Sequence, residues 1–301
     1  MSQLTAISNH VAELVNLPPI PQQPYVGKSA FAHKAGLHTS AIARRPDAYE
    51  HVEPSAVGNG TRFLVSDLSG RATIELKAKE LGLEISGEQM KAVLEQLKGL
   101  EYAGYHFEAA DASLELLMRR ATGWRNEFFT LESFRVMVEH RPGQKTALEQ
   151  NPLGHFDGVE TEATIKLLLG KLLLDDQSNS DQSNSDQSNS DRSNNDQSNN
   201  DRSDRERIVA TGEGNGPVNA LDSAFRKAVA GRFPVLDSVR LTDYKVRIID
   251  SAGGTEAITR VLVDATNGES QWTTIGVSEN IIEASWQALS DSIVYALLGR
   301  T

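Results

Sequence analysis

The carboxyl-terminal half of this sequence contains the same pattern twice, and this repetition restricts the possible folds more than any other feature. Three pairs of blocks match in the same order: 131–140 with 241–250, 161–169 with 255–263, and 211–225 with 275–289. The third pair aligns Gly212 with Gly276 and Ala220 with Ala284. Three ordered matches indicate an internal duplication.

Each repeated unit alternates polar and apolar residues before it ends in a helical pattern. The alternation is clear at Val136 and Val138 and again at Val246 and Ile248, and a period of two is typical of strands. The closing blocks show helical spacing. We predict an α+β fold, with strand, strand, strand and helix in each unit. The sheets then need a cover, from helices or from another subunit.

The first unit is longer than the second because of one low-complexity stretch. Residues 175–204 consist of near-repeats of QSNSD without one apolar side chain. They contain eight aspartates and two arginines, and so account for much of the formal net charge of −11. A segment with nothing to bury is predicted to be a disordered insertion in a hairpin loop, and not a linker between domains.

The region before the repeats is predicted to be mainly helical. An amphipathic helix before Pro18 is indicated by apolar residues at spacings of three and four: Leu4, Ile7, Val11 and Leu14. Three further helices are predicted: over 70–81, from a capping box at Ser86, and from about Glu108 to Arg120. A surface ion pair is expected between Glu75 and Lys79, and Tyr105, in a turn, is assigned no role.

The segment from Pro24 to Gly58 concentrates chemically active side chains among small residues. They are His33, His38, Tyr49, His51 and the basic pair Arg44 and Arg45. Burying apolar surface does not call for such a mixture, so this segment is the first candidate for a functional site.

Within this segment, His38 has the most suggestive surroundings. Gly36 lies two residues before it, which leaves room for a close approach, and Thr39 or Ser40 can cap a short helix that follows. At a helix start the macrodipole favours the neutral imidazole, which can act as a base. The alternative is a hydrogen-bonded structural histidine.

Three runs of this sequence resemble the alpha-isopropylmalate synthase and citramalate synthase family. The runs are GKSAFAHKAGLHTSAIARRPDAYEHVEPSAVGN, LVSDLSGRATI and NIIEASWQALSDSIVYALL. In the family, the first two follow a catalytic TIM barrel that holds a 2-oxo acid on a divalent metal. The resemblance implies that His38 and Tyr49 are the catalytic histidine and tyrosine, which enter the barrel of a partner subunit. His33 is the competing histidine, ranked as structural or substrate-side.

The family's barrel has no counterpart here, since the chain lacks a His-x-His pair with acidic partners and eight strand-helix units. The resemblance therefore implies a carboxyl-terminal half that is inactive alone and binds no cofactor itself. The divalent metal and acetyl-CoA belong to a barrel supplied in cis or in trans. The implied domains are a remnant of the last barrel helix (1–22), a helical linker subdomain (23–125), and a duplicated regulatory and dimerisation domain (126–301).

A glycine-rich turn precedes Pro217, with glycines at 212, 214 and 216. The spacing fits neither a dinucleotide fingerprint nor a P-loop, but it offers a helix start suited to a carboxylate. The family's inhibitor lies near this turn, which implies that Gly212, Gly214, Gly216 and Gly276 contribute to an effector site. The alternative is a tight strand-to-helix turn.

The resulting hypothesis is the linker and allosteric part of a citramalate synthase, which condenses acetyl-CoA with pyruvate in isoleucine biosynthesis. The implied partners are a second copy, in a homodimer, and isoleucine or a related amino acid as effector. The alternatives are a 2-isopropylmalate or homocitrate synthase fragment and a non-catalytic, amino-acid-binding homodimer. Outside 175–204 the charge is only mildly acidic, which argues against nucleic-acid or membrane partners. Without cysteines or a signal peptide, a cytoplasmic location is expected.

Overall fold

The computed structural model describes residues 1–33, 41–64, 71–140, 159–170, 205–249 and 254–299, apart from positions 16, 18, 43, 46, 48 and 255. His38 and the predicted insertion at 175–204 lie outside these residues. The described residues contain six α-helices and eight strands, and form a mixed α/β fold with three small sheets.

The first helix, α1, spans Leu4–Leu14, as the apolar spacing predicts. Its apolar stripe lies at the surface, where Ile7 is 56% exposed and Leu14 is 72% exposed. The hydroxyl of Thr5 donates to the carbonyl of Val57 at 2.9 Å. This bond connects α1 to a short 3-10 helix, Pro54–Val57.

Two very short strands organise the segment that follows. β1 (Ala32–His33) pairs in parallel with β2 (Arg62–Phe63), with Ala32 opposite Arg62 and His33 opposite Phe63. Parallel strands cannot be joined by a tight hairpin. The chain between β1 and β2 includes Tyr49, and it returns to the strand pair through the 3-10 helix.

Three helices come next: α2 (Arg71–Glu80), α3 (Gly87–Tyr102) and α4 (Asp111–Ala121). The predicted capping box is confirmed, because Ser86 and Gln89 exchange side-chain and backbone hydrogen bonds. The apolar faces of the helices meet in a core with Val93, Leu97 and Met118, all fully buried.

Two details of this helical region differ from the sequence prediction. The third helix begins at Asp111 and not near Glu108, because residues Phe107–Ala109 form a separate 3-10 turn that buries Phe107. Glu75 accepts a hydrogen bond from Arg71 at 2.8 Å, one helical turn before it, where the sequence predicted a pair with Lys79.

The first of the two larger sheets is antiparallel, in the order β3, β4, β5. Its strands are Phe129–His140, Val159–Leu169 and Glu206–Gly214. Helix α5 (Pro217–Ala230) packs against all three strands, and its buried Phe225 meets the ring of Phe129 edge-on at 5.2 Å.

The other larger sheet has the order β6, β7, β8. The strands are Arg240–Ile248, Thr259–Thr266 and Gln271–Ser278, and helix α6 (Ile281–Leu298) follows them. Along β7, buried and half-buried residues alternate from Thr259 to Thr266, as expected for a strand with one buried face.

The chain divides into two compact units. One consists of residues 1–124, 243–264 and 272–292, and the other of residues 125–242, 265–271 and 293–301. The order strand, strand, strand, helix occurs twice along the chain, from β3 to α5 and from β6 to α6.

Candidate functional site

The segment singled out by the sequence, Pro24 to Gly58, has its described part beside the β1–β2 strand pair. His38 lies outside the described residues, so its predicted catalytic role and its position at a helix start stay predictions. Ala41, Ile42 and Arg44 are helical, and the amide of Arg45 donates to the carbonyl of Ala41 at 2.8 Å.

Tyr49, the other residue that the resemblance marks as catalytic, lies at the surface with 45% of its area exposed. Glu50, directly after it, is only 8% exposed, and His51 is exposed again. The alternation directs two chemically active side chains outward and one carboxylate inward. Both Tyr49 and His51 are therefore exposed to solvent.

The inward carboxylate of Glu50 is hydrogen-bonded to two other parts of the segment. The hydroxyl of Thr61 donates to Glu50 Oε1 at 2.6 Å, and His33 Nε2 lies 3.2 Å from the same oxygen. Burying a carboxylate is unfavourable unless hydrogen bonds compensate it, and these two donors do so. His33, the competing histidine of the sequence analysis, is therefore engaged in a buried polar contact.

His51 and the backbone around Tyr25 form the outer edge of the segment. The rings of Tyr25 and His51 meet edge-on at 6.2 Å. Tyr25 has a φ of 68°, a left-handed conformation that is rare for residues other than glycine. The side-chain amide of Asn59 holds this conformation, since it donates to the carbonyls of Tyr25 and Gly27 at 2.8 and 3.0 Å.

The basic pair of the segment is exposed, and one member has a specific partner. The guanidinium of Arg45 donates two hydrogen bonds to the carboxylate of Asp47, at 2.7 and 2.8 Å. This hydrogen bonding lowers the pKa of Asp47 and raises that of Arg45. Arg44 is also exposed. Both arginines thus lie at the surface, and the guanidinium of Arg45 is already bound to a carboxylate.

The structure gives the glycine-rich turn a packing role at two of its positions. A Cβ on Gly212 would lie 2.3 Å from the backbone nitrogen of Ala224, and one on Gly214 would lie 2.5 Å from that of Ala220. These glycines let α5 approach β5 more closely than any side chain would allow. Gly276 has the same role between β8 and α6, since its Cβ would lie 1.9 Å from the carbonyl oxygen of Ala284.

Gly216 differs from the other three glycines, because it has open space around its α-carbon. It is the residue before the first turn of α5, makes no side-chain cap, and is followed by Pro217. The start of α6 is different: Asn280 accepts hydrogen bonds from the amides of Ile282 and Glu283. Of the two helix starts, only that of α5 lacks both a side-chain cap and an acidic residue in its first turn.

The sequence analysis missed a polar network that joins α4 to α6. Asp291, with 18% of its side chain exposed, accepts a hydrogen bond from Ser113 at 3.0 Å and an ion-paired one from Arg120 at 2.8 Å. Ser113 also accepts from the amide of Ile275 at 3.1 Å. Burial raises the pKa of Asp291, and Arg120 and Ser113 oppose that rise.

Tyr105, to which the sequence analysis assigned no role, is part of a second link in the same unit. Its hydroxyl donates to Gln287 Oε1 at 2.8 Å, and the same oxygen accepts from the amide of Val277 at 3.0 Å. Nearby, Arg260 donates to the carbonyl of Gly104 at 2.7 Å. Periodicity does not reveal these contacts, because they connect residues far apart in sequence.

In the described part of the chain, no group of three histidine or acidic side chains is arranged to hold a metal ion. The metal implied by the family resemblance thus has no ligand set among these residues. No helix within the described ranges has both the length and the apolarity required to cross a lipid bilayer.

The described residues thus combine a helical region with two sets of three strands and a helix. Comparisons with known families give a match in each of these two parts. Residues 25–104 match the homocitrate synthase post-HMGL domain-like family, and residues 161–297 match the LeuA allosteric (dimerisation) domain.

Along nearly its whole length, the chain is similar to (R)-citramalate synthases. It is 45% identical to the enzyme of Streptomyces coelicolor and 43% identical to that of Geobacter sulfurreducens, in each case over 99% of this chain and 48% of the relative. The relative from Aquifex aeolicus is 40% identical over the same shares. The chain thus spans about half the length of the curated relatives it matches.

Proposed function

We propose that this chain is the linker and allosteric part of a citramalate synthase, which joins acetyl-CoA and pyruvate in the synthesis of isoleucine. The observation that carries the proposal is the 45% identity to an (R)-citramalate synthase across 99% of the chain. The matches to a post-HMGL domain and to a LeuA allosteric domain divide the chain into the two expected parts.

In this function, the chain supplies acid–base groups to a barrel in cis or in trans. Tyr49 is suited to that task because it is exposed next to a buried, hydrogen-bonded residue. His38, five residues after His33, is the second group. Both carry protons that can move during an acyl transfer. The barrel would hold acetyl-CoA and a divalent metal, and the metal would supply Lewis-acid chemistry at the carbonyl group of the 2-oxo acid.

The regulatory role rests on residues 126–301, which form a homodimer in this proposal and bind isoleucine or a related amino acid. We infer that the two sets of three strands and a helix are copies of one ancestral unit. Gly212 contacts the helix at Ala220, and Gly276 contacts the helix at Ala284, in matching positions of the two copies. The uncapped start of α5 at Gly216 fits the effector's carboxylate.

The catalytic part of this proposal is tested with a chimera. Its first half comes from the Streptomyces coelicolor relative and its second half is this chain. We expect the chimera to release CoA from acetyl-CoA when pyruvate is added, and the chain alone to release none. The variants His38→Ala and Tyr49→Phe should each lower kcat by about 100-fold.

The allosteric role is tested separately. Calorimetric titration of the chain with isoleucine, with leucine as control, measures effector binding directly. A folded, dimeric chimera without activity, combined with isoleucine binding, would favour a non-catalytic regulatory dimer and contradict the synthase role.

A further inference from the structure

Glu50 is a buried carboxylate between two exposed side chains of the candidate site. It is 8% exposed, whereas Tyr49 is 45% exposed and His51 is also at the surface. A surface segment without a structural demand on its central residue would leave a glutamate in water. The burial of Glu50 therefore requires an explanation of its own.

The contacts of Glu50 join three separate stretches of chain. Thr61, which donates at 2.6 Å, directly precedes β2, and His33, at 3.2 Å, is the last residue of β1. Since β1 and β2 are themselves paired, both contacts of Glu50 lead to one strand pair. The carboxylate of Glu50 thus connects residues 49–51 to the β1–β2 strand pair.

Glu50 is directly connected to one of the two proposed catalytic residues. Tyr49 is joined to it by one peptide bond. A tyrosine on an unanchored surface segment would occupy many orientations. Effective acid–base catalysis requires the acting group within hydrogen-bond reach of the reacting atoms.

We propose that Glu50 is a positioning residue, which holds the Tyr49 side chain in the orientation required in the neighbouring active site. Its hydrogen bonds to Thr61 and His33 provide this hold. The inference rests on the proposed function, in which Tyr49 takes part in catalysis. It adds a role that the general resemblance does not assign.

The alternative is a carboxylate that only stabilises the fold, and the two roles predict different kinetics. A positioning role means that Glu50→Ala lowers kcat, on the order of 100-fold for a displacement of about 1 Å. KM for pyruvate and for acetyl-CoA should stay within about twofold, because the barrel binds both. A purely stabilising role lowers the folded fraction and leaves kcat per folded molecule unchanged.

The experiment uses the active chimera and four variants. Glu50→Ala removes the acceptor. Glu50→Gln keeps an oxygen that accepts from Thr61 and His33, and should retain most of kcat. Thr61→Val removes the 2.6 Å donor at nearly constant volume and should lower kcat in the same direction as Glu50→Ala. Glu53→Ala, an exposed glutamate three residues away, is the matched control and should match the wild type.

A double variant provides the decisive measurement. If Glu50 acts through Tyr49, adding Glu50→Ala to Tyr49→Phe should lower kcat by less than about threefold beyond Tyr49→Phe alone, because the effects do not add. Additive losses, or a Glu50→Ala variant equal to Glu53→Ala, would overturn the inference. If Glu50→Ala does not fold, Thr61→Val and its combination with Tyr49→Phe decide the question by the same criteria.

The failure of this inference can be distinguished from the failure of the proposed function. If Tyr49→Phe itself retains full activity, the catalytic role of Tyr49 is wrong. If Tyr49→Phe is impaired while Glu50→Ala and Thr61→Val are not, only the positioning role is wrong. Hydrogen exchange gives a readout independent of activity: in the chain itself, Glu50→Ala should speed exchange at residues 49–51 and leave α3 unchanged.

Discussion

At the scale of single residues, the atoms within a few ångströms explain why a glycine or a carboxylate occupies its position in the fold. Gly212, Gly214 and Gly276 each lie where a methyl group would overlap the backbone of a packed helix, whereas Gly216 has open space. The glycines of this turn therefore meet two different requirements, close packing and an accessible helix start, which the sequence alone does not distinguish. Close packing explains Gly212 and Gly214 in this turn, and Gly276 before α6, whereas Gly216 lies at an accessible helix start.

This difference between glycines gives a stability prediction. Gly212→Ala should lower the free energy of unfolding by about 1–3 kcal/mol, because backbone atoms of α5 cannot move aside as a flexible side chain would. Gly216→Ala, with extended backbone and no atom within 4 Å, is the control and should change stability by less than about 0.5 kcal/mol. Urea unfolding measures both. Equal losses in the two variants would contradict the packing explanation.

At the scale of secondary-structure elements, the sequence predicts what is local and misses what is distant. The capping box at Ser86 and the strands predicted around Val136 and Val246 depend on neighbours in sequence, and both are confirmed. The link from Tyr105 to Gln287 joins residues 182 positions apart, and the contact of Arg120 with Asp291 spans 171. A single sequence has no local signal for such pairs.

In the candidate site the same limit applies to Glu50. Its neighbours Tyr49 and His51 stood out by residue type, and the family resemblance added a role for Tyr49. The partner Thr61 lies eleven positions away, across the 3-10 helix. The sequence does not show that the carboxylate of Glu50 is buried, because its burial depends on the pairing of β1 with β2. The role of Glu50 in anchoring this segment could therefore be recognised only from the structure.

The junction of α4 and α6 gives a prediction on pH. Burial raises the pKa of Asp291 above its ordinary value of 3.8, so the folded chain binds this proton more tightly than the unfolded chain does. As the pH rises from 3.8 through the folded pKa, the unfolded state loses the proton first, and stability falls. We expect wild type to lose stability relative to Asp291→Asn across this window.

Asp243 is a control with the opposite sign. Its hydrogen bond with Lys245 lowers its pKa below 3.8, so its stabilising effect is present above 3.8 and is lost as the pH falls through the folded pKa. Relative to Asp243→Asn, wild type should therefore gain stability with rising pH. Urea unfolding at a series of pH values compares each variant with wild type. If the stability difference changed with pH in the same direction for both variants, the assigned directions of the pKa shifts would be wrong.

At the scale of the whole molecule, the chain contains two compact units whose boundaries do not follow the order of the sequence. The unit with residues 1–124 also contains 243–264 and 272–292. Its helical core includes Ile275 and Val277 of β8, next to Val93 and Met118. The helical region and the second sheet therefore share one apolar core.

The predicted insertion, 175–204, lies outside the described residues, and its removal is a test at this scale. Loop-closure entropy grows slowly with length, so deleting the insertion should change the free energy of unfolding by less than about 1 kcal/mol. Unfolding should stay a single cooperative transition. We expect calorimetry to give one transition for the deletion variant, and a loss of cooperativity would assign the insertion a structural role.

The contact between α4 and Asp291 has a practical consequence for dissection of the protein. A fragment that begins at residue 126 would match the allosteric family's region but would leave Asp291 without Arg120 and Ser113. It would also present Ile275 and Val277 to water. Such a truncation would be prone to aggregate, and ligand affinities measured on it would describe a damaged fold.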